Sequence, residues 1–87
     1  MTTDIDELLS SIQGLARTIH AETGLYVVYS EHLHRGGAVA VDISVEVGGD
    51  FRWWRGSNMP IEGHQVTLET VREQMLEWLV EQRKEAA

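Results

Sequence analysis

The central part of the chain alternates regularly between apolar residues and small or polar residues. Valine or isoleucine occupies every odd position from 39 to 47, while the even positions from 38 to 46 hold alanine, serine or an acidic residue. A period of two residues is typical of a strand with one buried and one solvated face. A glycine-rich triplet, 48–50, interrupts the pattern, and the aromatic stretch 51–55 follows it. The pattern therefore predicts a β-hairpin with strands over about 38–47 and 51–55.

The register of this hairpin decides which aromatic rings are buried. A three-residue loop, 48–50, would put the rings at positions 51 and 53 on the apolar face. It would leave Trp54 on the outer face, with Arg52 opposite Glu46. A two-residue loop would instead set Asp50 and Arg52 against the valines, because a slip of one residue exchanges the two faces of a strand. We therefore expect the three-residue loop, although such loops prefer glycine at the position that Asp50 would occupy.

Two amphipathic helices are predicted, one on each side of this sheet region in the sequence. Apolar residues recur at three- and four-residue steps over residues 3–23, and Gly24 follows as a natural stop. A second apolar stripe runs through residues 67–84. Leu76 and Val80 widen its apolar arc beyond what one sheet face usually needs. We expect them to pack on the first helix, and a homodimer seam is the alternative.

Residues 25–33 are rich in β-branched and aromatic residues and predict a further strand. We expect Leu25, Val27 and Tyr29 to face the core, and the reverse orientation stays open. The loop 56–66 then leads into the last helix. The chain is thus predicted to form one domain, 1–87, of the α+β class. It is a two-layer sandwich in α-β-β-β-α order, with a three-stranded antiparallel meander and both helices on one face.

The α-β-β-β-α order is shared with double-stranded-RNA-binding domains, but the resemblance is limited to topology. Those domains carry a lysine-rich cluster at the start of their second helix. This chain has TLETVREQM there, with Glu69 and Glu73. The residues that would neutralise phosphates are therefore missing, and RNA binding is not expected.

Composition narrows the function further. The net charge of −7 argues against direct binding to nucleic acid or anionic lipid. The 87 residues include no cysteine, which removes disulfides, a thiol nucleophile and cysteine-based zinc sites. The acidic start lacks the basic and apolar regions of a signal peptide, and no apolar run approaches the length of a membrane span. We therefore expect a cytoplasmic protein that contacts neither nucleic acid nor membrane directly.

Glutamates recur at four-residue steps along the last helix, and this row is the first candidate binding surface. Its members are Glu69, Glu73, Glu77, Glu81 and Glu85. Like charges at this spacing repel each other and oppose helix formation. The row is interpreted as a docking surface for a basic partner, in the manner of a row of nucleic-acid phosphates. The alternative is a solvated helix face made of good helix formers, which is the commoner origin of such runs.

The outer face of the sheet is the second candidate binding surface. In the expected register it displays Tyr26, Trp54, Arg52 and Glu46, and no later element is expected to cover it. Aromatic residues and arginine on an open surface are typical of binding hot spots. The alternative is that Trp54 folds onto Arg52 or lies under the loop at residues 59–61.

The sequence contains no recognisable catalytic or metal-binding motif. His32 and His34 would share a strand face, but a zinc or nickel site needs three or four converging ligands. The serines and histidines are not spaced as a catalytic triad, and no glycine loop precedes a helix in the phosphate-binding manner. We therefore expect no enzymatic activity, no metal and no cofactor.

These observations favour a small acidic module that binds another protein. We expect an inhibitor that occupies a basic or nucleic-acid-binding surface of its partner, of the anti-defence or immunity type. The alternatives are a dimeric assembly or secretion chaperone and a small-ligand-binding domain. The expected partner contacts are Glu69, Glu73, Glu77, Glu81, Tyr26, Trp54, Arg52 and Glu46, and the candidate dimer contacts are Leu76 and Val80.

Overall fold

The structure of the chain is a computed structural model that describes residues 4–86. Two helices pack on a three-stranded antiparallel sheet in the predicted α-β-β-β-α order, which confirms the α+β sandwich. Residue 3, the expected start of the first helix, lies outside the described residues. The elements are α1 (Ile5–Thr23), β1 (Val27–Leu33), β2 (Val39–Val47), β3 (Asp50–Ser57) and α2 (Leu68–Ala86), with a short turn at Arg35–Gly37 between β1 and β2.

α1 is capped at both ends by nearby residues. The Asp4 carboxylate accepts a hydrogen bond from the Asp6 backbone N–H at 2.9 Å, which satisfies one of the free amides of the first turn. At the other end Gly24 adopts a left-handed conformation with φ of 71°, and its N–H donates to the His20 carbonyl. The buried stripe between the caps consists of Leu8, Ile12, Ala16 and Ile19.

The sheet has the order β1-β2-β3, so β2 is central and both β1 and β3 are edge strands. Val41, Ile43 and Val45 of β2 are fully buried. β1 places Val27 opposite Val45 and Tyr29 opposite Ile43, which confirms the expected orientation of β1. These odd-numbered residues of the two strands therefore form the sheet side of the core.

The expected register of the β2–β3 hairpin is wrong. Val47 pairs with Asp50 across a two-residue loop, 48–49, and Trp54 pairs with Ile43. Both loop residues are glycines with positive φ, 59° and 91°. A tight hairpin turn of this kind requires positive φ at both central positions, and it does not ask Asp50 to adopt the left-handed conformation. The turn therefore favours the shorter loop.

Burial favours the same register. A three-residue loop would have placed Arg55 opposite Ile43, at a fully buried position where a guanidinium would lose its hydration. In the observed register that place belongs to Trp54, which is 2% exposed. Arg52 does face the helix side, as the shorter loop requires. It lies at the open end of the sheet, where Val47 is 43% exposed.

Trp54 is the largest fully buried side chain. Its ring meets the Trp78 ring of α2 edge-on, with the ring centroids 5.7 Å apart. The Arg52 guanidinium lies 5.5 Å from the centroid of the Trp54 ring. Edge-to-face aromatic pairs stabilise by about 0.5–1.5 kcal/mol beyond their buried area.

Within residues 4–86, neither helix combines the length and the apolar character needed to cross a bilayer. The residues that α2 buries against the sheet are Leu68, Val71, Met75 and Leu79.

The start of α2 lies directly against Gly56 of β3. The Ser57 N–H donates to the Val66 carbonyl at 2.9 Å, which holds the segment before α2 alongside the end of β3. A Cβ atom at Gly56 would lie 2.5 Å from Val71 Cγ2 and 2.7 Å from the Val66 carbonyl oxygen. Glycine is therefore required here by the close approach of α2.

Candidate functional site

The outward face of α2 combines acidic and apolar side chains. Leu76 and Val80 are 46% and 38% exposed, so the expected packing of these two residues on the first helix is not found. Together with three glutamates they line one open depression on the surface. These three are Glu73, Glu77 and Glu81. Glu69 is also exposed, one helical turn before them. The predicted acidic residues are therefore all accessible.

One cation of α2 is committed to the other helix. Arg83 donates from Nε and Nη2 to the two carboxylate oxygens of Glu22 in α1, at 2.8 and 2.6 Å. These hydrogen bonds lower the pKa of the Glu22 carboxyl and raise the pKa of Arg83. The Arg83 side chain therefore joins the two helices instead of neutralising the acidic row.

The remaining cations leave most of the acidic row uncompensated. Lys84 lies 3.5 Å from Glu81 in an exposed pair, and such pairs contribute little. Among residues 4–86, Glu73 and Glu77 have no ion pair within 4.0 Å. The outward face of α2 is thus an apolar pair surrounded by free negative charge.

The outer sheet face carries different aromatic residues from those expected. Trp54 is buried on the helix side, and Arg52 faces the same side, so the prediction that these two residues form the outer surface is wrong. The cause is the one-residue difference in register, which exchanges the faces of β3. Phe51 and Trp53 take these places and are 51% and 48% exposed.

These exposed rings form an aromatic end of the outer face. The Trp53 ring lies 6.3 Å from the Phe51 ring, and the Arg55 guanidinium stacks 4.5 Å from the Trp53 centroid. Tyr26 is exposed and accepts a backbone hydrogen bond of 3.0 Å from Glu46, which is also exposed. Of the residues predicted for this surface, Tyr26 and Glu46 are accessible.

Asp42 of β2 is the centre of a polar cluster on the other half of the outer face. Its Oδ2 atom lies 3.1 Å from His32 Nε2 and 3.0 Å from His64 Nε2, and its Oδ1 atom lies 2.9 Å from Arg55 Nε. The Asp42 side chain is only 17% exposed. A carboxylate withdrawn from water needs such partners to offset its desolvation. The cluster joins all three strands to the loop that holds His64.

The loop 58–66 covers this half of the sheet, contrary to the expectation that no later element does so. Asn58 Oδ1 accepts a hydrogen bond from the Val39 N–H at 2.8 Å. The Ser57 hydroxyl donates to the His64 carbonyl oxygen at 2.6 Å. Ala40 of the outer face is fully buried as a result. The loop is therefore tied to the sheet at its start and near its end.

The histidines of this cluster are placed for hydrogen bonding. Two imidazoles that share one zinc ion, with bonds of about 2.1 Å at a tetrahedral angle, have ring centroids roughly 5 Å apart. The rings of His32 and His64 are 6.4 Å apart, a separation that fits two donors on one carboxylate oxygen. Among residues 4–86, no three His, Asp or Glu side chains are arranged to hold a metal ion. We interpret the cluster as the fixing point of the loop.

Replacing Asp42 by asparagine is expected to destabilise the fold by about 1–3 kcal/mol, because a neutral amide cannot accept from Arg55 and both histidines. Urea unfolding followed by circular dichroism measures the loss. Glu46→Gln is the matched control, since Glu46 lies on the same strand and face and has no ion pair among residues 4–86. The control is expected within about 0.5 kcal/mol of wild type. Equal stability of the two variants would contradict the fixing role of Asp42.

The Asp42 cluster was not predicted from the sequence, although one signal was available. Asp42 is a charged residue in the middle of a central strand, where both neighbouring strands exclude water and partners are required.

Comparison with family models, with curated proteins and with solved structures found no match for this chain. Its function therefore has to be inferred from the chemistry of its surfaces.

Proposed function

We propose that the chain is a small acidic module that binds another protein through the outward face of α2. The observation that carries the proposal is the half-exposed pair Leu76 and Val80 within a row of uncompensated glutamates. Apolar side chains supply the core of an interface, and charges around them select the partner and speed the encounter. A basic surface around an apolar contact is the complement of this face.

The acidic row supports an inhibitor that occupies a nucleic-acid-binding surface of its partner. Residues four apart are about 6 Å apart along the helix axis and share one side of the helix. From Glu69 to Glu81 the row thus presents a line of negative charges about 18 Å long that winds around the helix by about 40° per step. A basic channel that holds phosphates would accept this line, and the protein would then compete with nucleic acid. The lack of cysteine supports a cytoplasmic location for this interaction.

The outward face of α2 gives less support to a homodimer, which an assembly chaperone would form. In a two-fold dimer one patch faces its own copy, so Glu73 and Glu77 of both chains would meet around Leu76 and Val80. Like charges brought together in this way oppose association. We therefore place a basic partner ahead of a second copy.

Reversing Glu73 and Glu77 to lysine is expected to weaken partner capture by about tenfold or more, since both charges flank the apolar pair. The tagged chain is incubated with lysate of the source cell at low and high salt, and captured proteins are identified by mass spectrometry. The wild type is expected to retain a basic nucleic-acid-binding protein at low salt and to release it at high salt. Added nucleic acid is expected to displace the same protein.

The matched control combines Asp50→Lys with Glu62→Lys, which changes the net charge equally at two exposed positions away from α2. This variant is expected to keep the partner. If both double variants lost the partner equally, the effect would come from the change in net charge alone, and the α2 site would be refuted. A constitutive dimer in solution, with no basic partner captured, would instead favour the chaperone alternative.

A further inference from the structure

Within residues 4–86, β1 has a free edge with backbone groups directed away from the sheet. The Glu46 N–H donates to the Tyr26 carbonyl at 3.0 Å, and the His34 N–H donates to the Ala38 carbonyl at 2.8 Å. In an antiparallel pair, residues that exchange backbone hydrogen bonds alternate with residues that do not. The even-numbered residues of β1 are therefore bonded to β2. The odd-numbered residues direct their N–H and C=O groups outward, and these residues are Val27, Tyr29, Glu31 and Leu33.

A groove of about 310 Å³ lies beside this edge, between α1 and β1. This volume corresponds to about ten water molecules, which is enough for an amino-acid side chain. Val27 and Tyr29 line the groove and also carry outward backbone groups, so the groove and the free edge form one surface. The lining residues are Gln13, Ala16, Arg17, His20, Val27 and Tyr29.

The groove contains an arginine and a histidine in a protein whose net charge is −7. Among residues 4–86, Arg17 has no carboxylate within 4.0 Å. His20 donates from Nδ1 to the Leu25 carbonyl at 2.7 Å, which orients the ring. Its Nε2 atom then accepts a hydrogen bond in the neutral ring and donates one in the protonated ring. Burial raises the pKa of Tyr29 to about 12, so its hydroxyl stays protonated and donates to Glu31 at 3.2 Å. The nearest acid on β1 is thus already engaged.

We propose that this edge and groove bind an extended segment of another protein that carries an acidic side chain. The segment adds a fourth strand to the sheet through the outward backbone groups of β1. Its side chains alternate between the two faces, so every second one points into the groove. An aspartate or glutamate beside Arg17 receives a charge-assisted hydrogen bond from its guanidinium, and a second one from His20 Nε2 when that ring is protonated. The site shares no residue with the outward face of α2, and the proposal is independent of the function proposed for that face.

A selection of short random peptides displayed against the immobilised full-length chain tests the acidic preference. Wild type is expected to enrich peptides with one aspartate or glutamate among β-branched residues. Arg17→Glu is expected to reverse the preference to lysine or arginine at that position and to bind the wild-type peptides about tenfold more weakly. Arg35→Glu, an equal change of charge at an exposed turn, is the control and is expected to select acidic peptides. Enrichment of no peptide, or of the same peptides by wild type and Arg17→Glu, would overturn the proposal.

Amide hydrogen exchange with one selected peptide locates the new strand. The N–H groups of Val27, Tyr29 and Glu31 are expected to exchange at least about tenfold more slowly when the peptide is bound, because they become hydrogen-bonded. The outward amides of Phe51 and Trp53, on the opposite edge, serve as internal controls and are expected to stay unchanged. Protection at β3 alone would refute the site. Protection of β1 that grows with protein concentration in the absence of peptide would also refute it, because a second copy would then occupy the edge.

Discussion

Trp54→Ala is expected to lower the free energy of unfolding by about 3–5 kcal/mol, as large aromatic truncations in a core do. The indole is 2% exposed and packs edge-on against Trp78 across the sheet–helix boundary. Its Nε1 has no hydrogen-bond acceptor among residues 4–86, so its contribution comes from packing. The total free energy of unfolding of a domain of this size is about 5–15 kcal/mol, so the variant would be close to unfolding. Urea unfolding followed by far-UV circular dichroism measures the change.

Trp53→Ala is the matched control, because the neighbouring tryptophan is 48% exposed on the outer face. It loses the stacking of Arg55, and we expect a change of less than about 1 kcal/mol. The two variants together test the hairpin register directly. A large loss for Trp53→Ala with a small loss for Trp54→Ala would show that the three-residue loop forms after all.

Gly56→Ala is expected to destabilise the fold by about 3 kcal/mol, at the upper end of what one added methyl group does in a packed core. The new Cβ would lie 2.5 Å from Val71 Cγ2, 2.7 Å from the Val66 carbonyl oxygen and 3.1 Å from the Thr67 carbonyl oxygen. The Val71 side chain can adjust, but the two carbonyl groups belong to the backbone that leads into α2. Relief therefore requires α2 to move away from β3. Thermal and urea unfolding both report this loss.

Gly14→Ala is the control for this substitution. Gly14 lies inside α1, and a Cβ there meets no other atom of residues 4–86 within 4 Å, apart from the nearby backbone of α1 itself. Alanine is favoured over glycine in a helix interior, so this variant is expected to gain about 0.5–1 kcal/mol. The same chemical change thus has opposite signs at the two positions. A Gly56→Ala protein as stable as the wild type would mean that α2 does not approach β3 as closely as described.

The fold was predictable because the apolar periods of its elements are unambiguous. The odd positions 39–47 specify a strand buried on one face, and the two apolar stripes specify helices that need a shared surface. The hairpin register was predicted wrongly, because the prediction rested on Asp50 and Arg52, which lie at the open end of the sheet. Arg52 tolerates the helix side there, since that end is exposed, while Arg55 does not tolerate the buried position opposite Ile43. The decisive residue was Arg55, which lies further along β3 and away from the open end.

The candidate binding surfaces were predictable only where a single element contains them. Successive glutamates of α2 lie near each other because of helical geometry alone, about 40° apart around the helix, and they are exposed as predicted. The outer sheet face depends on the pairing of two strands, so one error in register replaced Trp54 by Trp53. The Asp42 cluster and the groove at Arg17 join residues far apart in the sequence. No local pattern contains such contacts, and only the tertiary arrangement reveals them.

The placement of the tryptophans has an optical consequence. Trp54 is enclosed, Trp78 is partly covered beside it, and Trp53 is half in water on the opposite side of the sheet. Indole emission shifts to longer wavelength when the ring is surrounded by water, so the native spectrum is a sum of blue-shifted and red-shifted components. Unfolding changes the blue-shifted component, which comes from the buried rings. A molecule that binds to the outer face changes the red-shifted component, which comes from Trp53. The chain therefore carries two intrinsic fluorescent reporters, one inside and one outside, on consecutive residues.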